Sequence, residues 1–201
     1  MDIQIVSGIF VLAFVAMITP GPNNLVVLTL ALGGDFGRVT GACGGIIAGM
    51  VGLTIVCWYG AASIFDVFPL LRIIVVALGS AYLMWGGAML IVGAWRGDQR
   101  TKQVFPSSFL ALAGFQFTNP KAWVLCLAAV SAMQGNQLNL FGLGVLTLIL
   151  AAASAISLAA WIIVGHVLPV ARDGEGLPAW VGTVLGLALI GTSASLALSV
   201  I

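Results

Sequence analysis

Lys121 stands directly behind Asn119-Pro120 in one apolar stretch, and Asn23 and Asn24 stand directly behind Thr19-Pro20-Gly21-Pro22 in another, with Pro20 and Pro120 one hundred residues apart. Amides, an ammonium and freed backbone N–H groups at such points could hold an anion. A proline loses nothing at the first position of a helix, where its missing N–H would be unpaired anyway and its φ is already helical. Pro22 and Pro120 therefore suit helix starts, with Gly21 and Asn119 in the caps. The unpaired N–H groups of each first turn and the positive end of its dipole attract negative charge. The carboxylate of a small zwitterion would satisfy both starts together, without metal or cofactor. The candidate binding residues are Thr19, Pro20, Gly21, Pro22, Asn23, Asn24, Gln116, Asn119, Pro120 and Lys121. The amides of Asn23 and Asn24 can both replace lost backbone pairing and touch a substrate.

Lys121 is the sharpest of these. A lysine at the centre of a bilayer costs roughly 3 kcal/mol or more, and the centre lies about 15 Å from either interface, too far for its stem to escape. All six acids fall in turns or at the N-terminus, so its partner must be backbone carbonyls, water or substrate. A lysine displaced towards an interface is the competing reading. If Lys121 is central, proton and substrate occupancy are linked at one side chain, which makes it the first candidate for coupling. His166, at the end of an apolar stretch, is the second, against a structural role at the interface. Ser154 and Ser157 either bond back to their own helix or line a cavity. Tyr82 and Trp85 read as core or interface belt rather than a ligand cage. Cys43, Cys57 and Cys126 lie in apolar helices without disulfide or metal spacing and read as packing.

What must position these residues is a set of membrane helices. Apolar residues make up 61% of the chain and charged residues 6%, against about 25% charged in a soluble domain, so the chain reads as an all-α integral membrane protein. Ile3–Ile18 and Leu25–Gly33 are each short of the roughly 20 residues that cross a bilayer, and so are Ser108–Phe117 and Ala122–Met133. Each pair makes one broken span. Irregular backbone at membrane depth is tolerated only where protein or water covers it, so two breaks predict a site. Further spans are expected over Thr40–Ile64, Leu70–Trp95, Leu138–Leu168 and Leu177–Ile201. Gly41, Gly45 and Gly49 repeat every four residues, and Gly79, Gly86 and Gly93 every seven, as faces for close helix packing. The N-terminal stretch lacks a basic leader and a cleavage site, so its helix is expected to remain.

Turns are expected at Gly34–Arg38, around Asp66 and Pro69, at Gly135–Gln137 and at Arg172–Gly176, with a polar linker over Arg96–Ser107. The linker divides the chain into halves, 1–100 and 101–201, of three spans each. Arg38, Arg96, Arg100, Lys102 and Arg172 fall on one side and only Arg72 on the other, which places both termini outside the cytoplasm. Two three-helix halves then enter the membrane in opposite directions, an inverted repeat in which the first helix of each is broken.

A net charge of +1 leaves no basic field for nucleic acid. No phosphate loop, zinc motif or nucleophile with its base is present, so neither an ATP-driven pump nor an enzyme is expected. A metal-ion exporter on a related six-span plan is the alternative, but it would need carboxylates clustered at depth.

Three stretches together resemble the LysE/RhtB family of amino-acid exporters: Thr19-Pro20-Gly21-Pro22-Asn23-Asn24-Leu25, Gly79-Ser80-Ala81-Tyr82-Leu83-Met84-Trp85 and Phe115-Gln116-Phe117-Thr118-Asn119-Pro120-Lys121-Ala122. The stretch from Trp161 to His166 is similar to the cysteine and O-acetylserine exporters within it. The resemblance covers the whole chain. It implies efflux of a small amino acid or derivative across the bacterial inner membrane in exchange for protons. With one charge at depth and no acid beside it, neutral amino acids are expected rather than lysine or arginine. The expected partners are that substrate and the bilayer, with a homo-oligomer left open.

Overall fold

The computed structural model describes residues 3–32, 34–61, 69–96, 107–133, 139–167 and 179–198. Among them there are helices and the turns that interrupt helices, and no strand. Helix α1 covers Ile3–Ile18 and α2 covers Pro22–Leu32, with a 58° bend between them. Helix α3 covers Phe36–Val56 and opens into a wider π turn over Cys57–Ala61, where Gly60 adopts a φ of 127° that a side chain would oppose. Helices α4 (Pro69–Arg96), α5 (Phe109–Phe115), α6 (Pro120–Ala132), α7 (Leu140–Val167) and α8 (Ala179–Leu198) follow.

Local capping sets where several of them begin. Asp35 accepts from the Arg38 N–H ahead of α3, Ser108 from Ala111 ahead of α5, Asn119 from Lys121 ahead of α6, and Asn139 from Gly142 ahead of α7. Each satisfies a donor that the first turn leaves unpaired. The cap at Asp35 is why α3 starts four residues before the expected Thr40.

Three stretches, Phe36–Gly60, Val76–Arg96 and Leu140–Val167, are long and apolar enough to cross a bilayer, and the bent α1–α2 pair would make a fourth. Six full crossings were expected. The difference arises because α5 has only 7 residues, α6 has 13, and the described apolar run of α8 stops at Ser195. The turns around Asp66 and at Gly135–Gln137 and Arg172–Gly176 lie outside the described residues, as does most of the polar linker, including Arg100 and Lys102. Apolar side chains such as Leu78, Leu148 and Leu187 stand mostly exposed, the surface that hydrocarbon rather than water would cover.

Helix α4 packs most extensively on α8, α3 on α5, and α1 and α2 on α7; α3 also meets α7 and α6. Small residues set the closest approaches. A Cβ on Gly87 would lie 2.7 Å from the Gly186 carbonyl oxygen, and one on Gly49 would meet the Ala113 backbone of α5. Gly45 faces Phe109 in the same way, whereas Gly41 faces open space. Three apolar clusters result. One joins α1, α3, α6 and α7 around Leu53, Cys126 and Leu150; one joins α2, α3, α5 and α7 around Val27, Ala42 and Leu112; the third joins α2, α4 and α8 around Leu28, Leu83 and Leu189.

Candidate functional site

The two breaks meet. Pro22 opens α2 with Gly21 ahead of it, and the Leu25 N–H donates to the Gly21 carbonyl at 3.0 Å, as a helix with proline in its first position requires. Pro120 opens α6 in the same way behind Asn119, whose side chain accepts from the Lys121 N–H at 3.2 Å. The two starts lie close enough for side chains to join them directly.

One junction is the lysine. Its Nζ donates to the Thr19 carbonyl at 2.9 Å and to Thr19 Oγ1 at 2.7 Å. Two of the three ammonium donors are thereby held by the first break. Gly21 makes room for this: a Cβ there would sit 3.3 Å from Nζ. The only acidic side chain among the described residues, Asp35, caps α3 instead.

The other junction is a reciprocal pair of amides. Asn23 Nδ2 donates to Gln116 Oε1 at 2.9 Å, and Gln116 Nε2 donates to Asn23 Oδ1 at 3.0 Å and to the Leu112 carbonyl at 3.1 Å. Gln116 has no exposed surface, so loss of Asn23 would leave its side-chain oxygen buried without a partner, whereas Asn23 itself is only half-buried. Gln116, which the sequence places merely beside the second break, is the residue that ties that break to the first.

Asn24 does something different. Both hydrogens of its Nδ2 go to the end of α1, to Met17 O and Thr19 O at 2.8 Å each. Its amide group therefore replaces the turn of helix that the prolines remove, and its donors are not available to a ligand.

Carbonyls at the break are also approached from helices far along the chain. Ser157 Oγ donates to Met17 O at 2.8 Å, Trp161 Nε1 to Ile18 O at 3.1 Å, and Thr192 Oγ1 reaches Pro20 O at 3.4 Å while donating to Ala188 O at 2.8 Å. Trp161 and Thr192 were not foreseen in these roles. Ser157 and Trp161 stand one turn apart on a single face of α7, and that spacing of donors was the available signal.

Between the breaks lies a cavity of about 40 Å³, bounded by Asn23, Asn24, Asn119, Lys121 and Ser154 among others. It has room for a water or the head of a ligand, not for a whole amino acid. Thr118 turns away and donates to Phe115 O. His166 is not brought to the breaks. It is exposed at the end of α7, with Nδ1 2.8 Å from Ile162 O and its ring 5.3 Å from that of Phe36. Tyr82 contacts the rings of Trp85 and Phe115, in keeping with an aromatic core role.

The family model described as LysE type translocator matches residues 14–200. The leucine efflux protein of Enterobacter sp. (strain 638) is 34% identical over 118 residues, covering 55% of this chain and 54% of that protein, so the match spans about half of the relative's length. The cysteine/O-acetylserine efflux protein of Salmonella typhi is 25% identical over 166 residues, covering 81% of this chain and 83% of the relative. That of Klebsiella pneumoniae is 23% identical over 164 residues, with 81% and 82% covered. No solved structure matches.

Proposed function

This chain belongs to the LysE type translocator family, and on that premise we propose that it is a secondary transporter exporting a small neutral amino acid or amino-acid derivative from the bacterial cytoplasm, across the inner membrane, in exchange for protons. The observation that carries the reading is the Lys121 ammonium laid across the first break, bonded to Thr19 and facing no acid among the described residues. A substrate carboxylate takes the remaining ammonium donor and then displaces Thr19, and the N–H groups at the starts of α2 and α6 complete its shell. Thr19, Pro20, Gly21, Pro22, Asn23, Gln116, Asn119, Pro120 and Lys121 form the site, while Asn24 holds the break in shape. The carboxylate needs the charged ammonium, so the protonation state of this one residue sets substrate affinity.

The six-span inverted repeat belongs to the same reading, with halves 1–100 and 101–201. Its support is the reciprocity of packing. The first helix of each half lies on the second of the other, as α1 on α7 and α5 on α3, and the third helices, α4 and α8, lie on one another. Exchange of the halves leaves that pattern unchanged, as a twofold axis between repeats demands. Both termini then lie outside the cytoplasm.

The family match and the relatives' names give the metal-ion alternative no support, and the described residues hold no group of three or more His, Cys, Asp or Glu side chains fit for a cation. The test is counterflow of labelled amino acids in proteoliposomes, across a panel and with or without a pH gradient. Neutral amino acids should exchange, cationic ones should not, and an opposing gradient should drive accumulation. Exchange of none of the panel would overturn the proposal.

A further inference from the structure

A second and much larger cavity, of about 460 Å³, lies on the other side of Lys121, between α1, α6 and α8. Lys121 and Leu125 line both cavities, so the ammonium forms part of the wall between them. The sizes decide what each can hold. Small-molecule sites run to roughly 300–1,000 Å³, a range that includes the larger space and excludes the 40 Å³ one. A carboxylate bound at Lys121 must therefore have the rest of its molecule in the larger groove.

The lining of the groove is divided. At the break stand the polar groups Thr19, Lys121 and Thr192, with Ser195 about one turn further along α8; the rest is aliphatic, with Leu12, Val124, Ala128 and the bare backbone of Gly191. A lipid chain lying there would leave an ammonium and three hydroxyls against hydrocarbon, whereas ionisable groups at depth face protein or water. The polar end is matched to a zwitterion. Lys121 takes the carboxylate, and Thr192, which gives its own hydrogen to Ala188 O, keeps lone pairs free to accept from a substrate ammonium, as does Ser195. Among the described residues that line the groove, Lys121 alone is charged. A cationic side chain would find no counter-ion and would be repelled by Lys121, and an anionic one would compete for it.

We propose that the groove between α1, α6 and α8 is the side-chain pocket of the transporter, and that its substrate is an amino acid with an aliphatic side chain of about leucine size. This rests on the export reading above. Gly191 lines the pocket from α8 and Ala128 from α6. A Cβ added to Gly191 meets nothing within 4 Å, so the position can be filled without displacing the fold.

The experiment is a competition between leucine and alanine in counterflow, comparing the wild-type protein with Gly191→Leu and, as a second variant from the α6 wall, Ala128→Leu. One methylene in an apolar pocket discriminates by about 10–200-fold, so each variant should lower the leucine-to-alanine ratio at least about tenfold. If Gly191→Leu does not fold, Ala128→Leu is read alone. A ratio unchanged in folded, transporting variants overturns the pocket and leaves the export function standing, with lipid as the occupant of the groove. A wild-type protein that exchanges no amino acid overturns the export function itself and the pocket with it.

Discussion

Lys121, Asn23, Asn24 and Gln116 carry different loads although the sequence presents them alike. Asn24 gives both amide hydrogens to α1, so Asn24→Ala removes two hydrogen bonds, at a net cost of about 0.5–1.5 kcal/mol each, while Ser157 and Lys121 still donate to the Met17 and Thr19 carbonyls. Its folded yield and thermal stability should fall together with transport. Gln116 is fully buried against Asn23, so Asn23→Ala, which strands its side-chain oxygen, should lose about 1–3 kcal/mol, while the pair Asn23→Leu/Gln116→Leu, which removes both partners, should recover most of that stability. If the amide pair is what joins the breaks, the double variant stays folded and still transports poorly; normal transport by it would assign the pair to packing. Lys121→Arg keeps a charge that does not titrate, so it should bind substrate in counterflow yet lose acceleration by a pH gradient. The role of Lys121 was legible because a lone charge in an apolar helix needs a reason. Its partner was not, since Thr19 lies 102 residues away and no local pattern connects them. Gln116 was undervalued for the same reason.

At the level of elements, what could be read was whatever depends on neighbours in the chain. Proline after a cap residue locates the starts of α2 and α6, and Asp35 and Ser108 locate those of α3 and α5. The π turn over Cys57–Ala61 has neither a proline nor a cap residue to mark it. The glycine stripe on α3 shows the limit of periodicity. Gly45 and Gly49 bury against Phe109 and Ala113, but α5 begins at Phe109 and offers nothing opposite Gly41. Gly49→Ala should therefore lose about 1–3 kcal/mol through overpacking. Gly41→Ala should be neutral or gain up to about 1 kcal/mol from helix propensity. Thermal unfolding of the two purified variants separates them, and equal destabilisation would mean that α3 and α5 do not approach as described.

On the proposed plan the whole molecule is two halves joined at their broken helices, as the hundred-residue spacing of Pro20 and Pro120 suggests. The number of crossings was less legible, because α5, α6 and α8 fall short of a full span within the described residues. Reporters fused to either terminus should be reached only from outside the cytoplasm if the five-to-one bias of loop cations orients the chain. The central claim is that the two breaks make one site in which Lys121 links substrate to proton. Its most direct test is substrate accumulation by proteoliposomes under an imposed pH gradient, with wild-type protein beside Lys121→Met at equal reconstituted amounts. The account predicts that the wild-type protein accumulates substrate and that Lys121→Met, which retains the length of the side chain but neither its charge nor its proton, does not. Accumulation by Lys121→Met at the wild-type rate would contradict it.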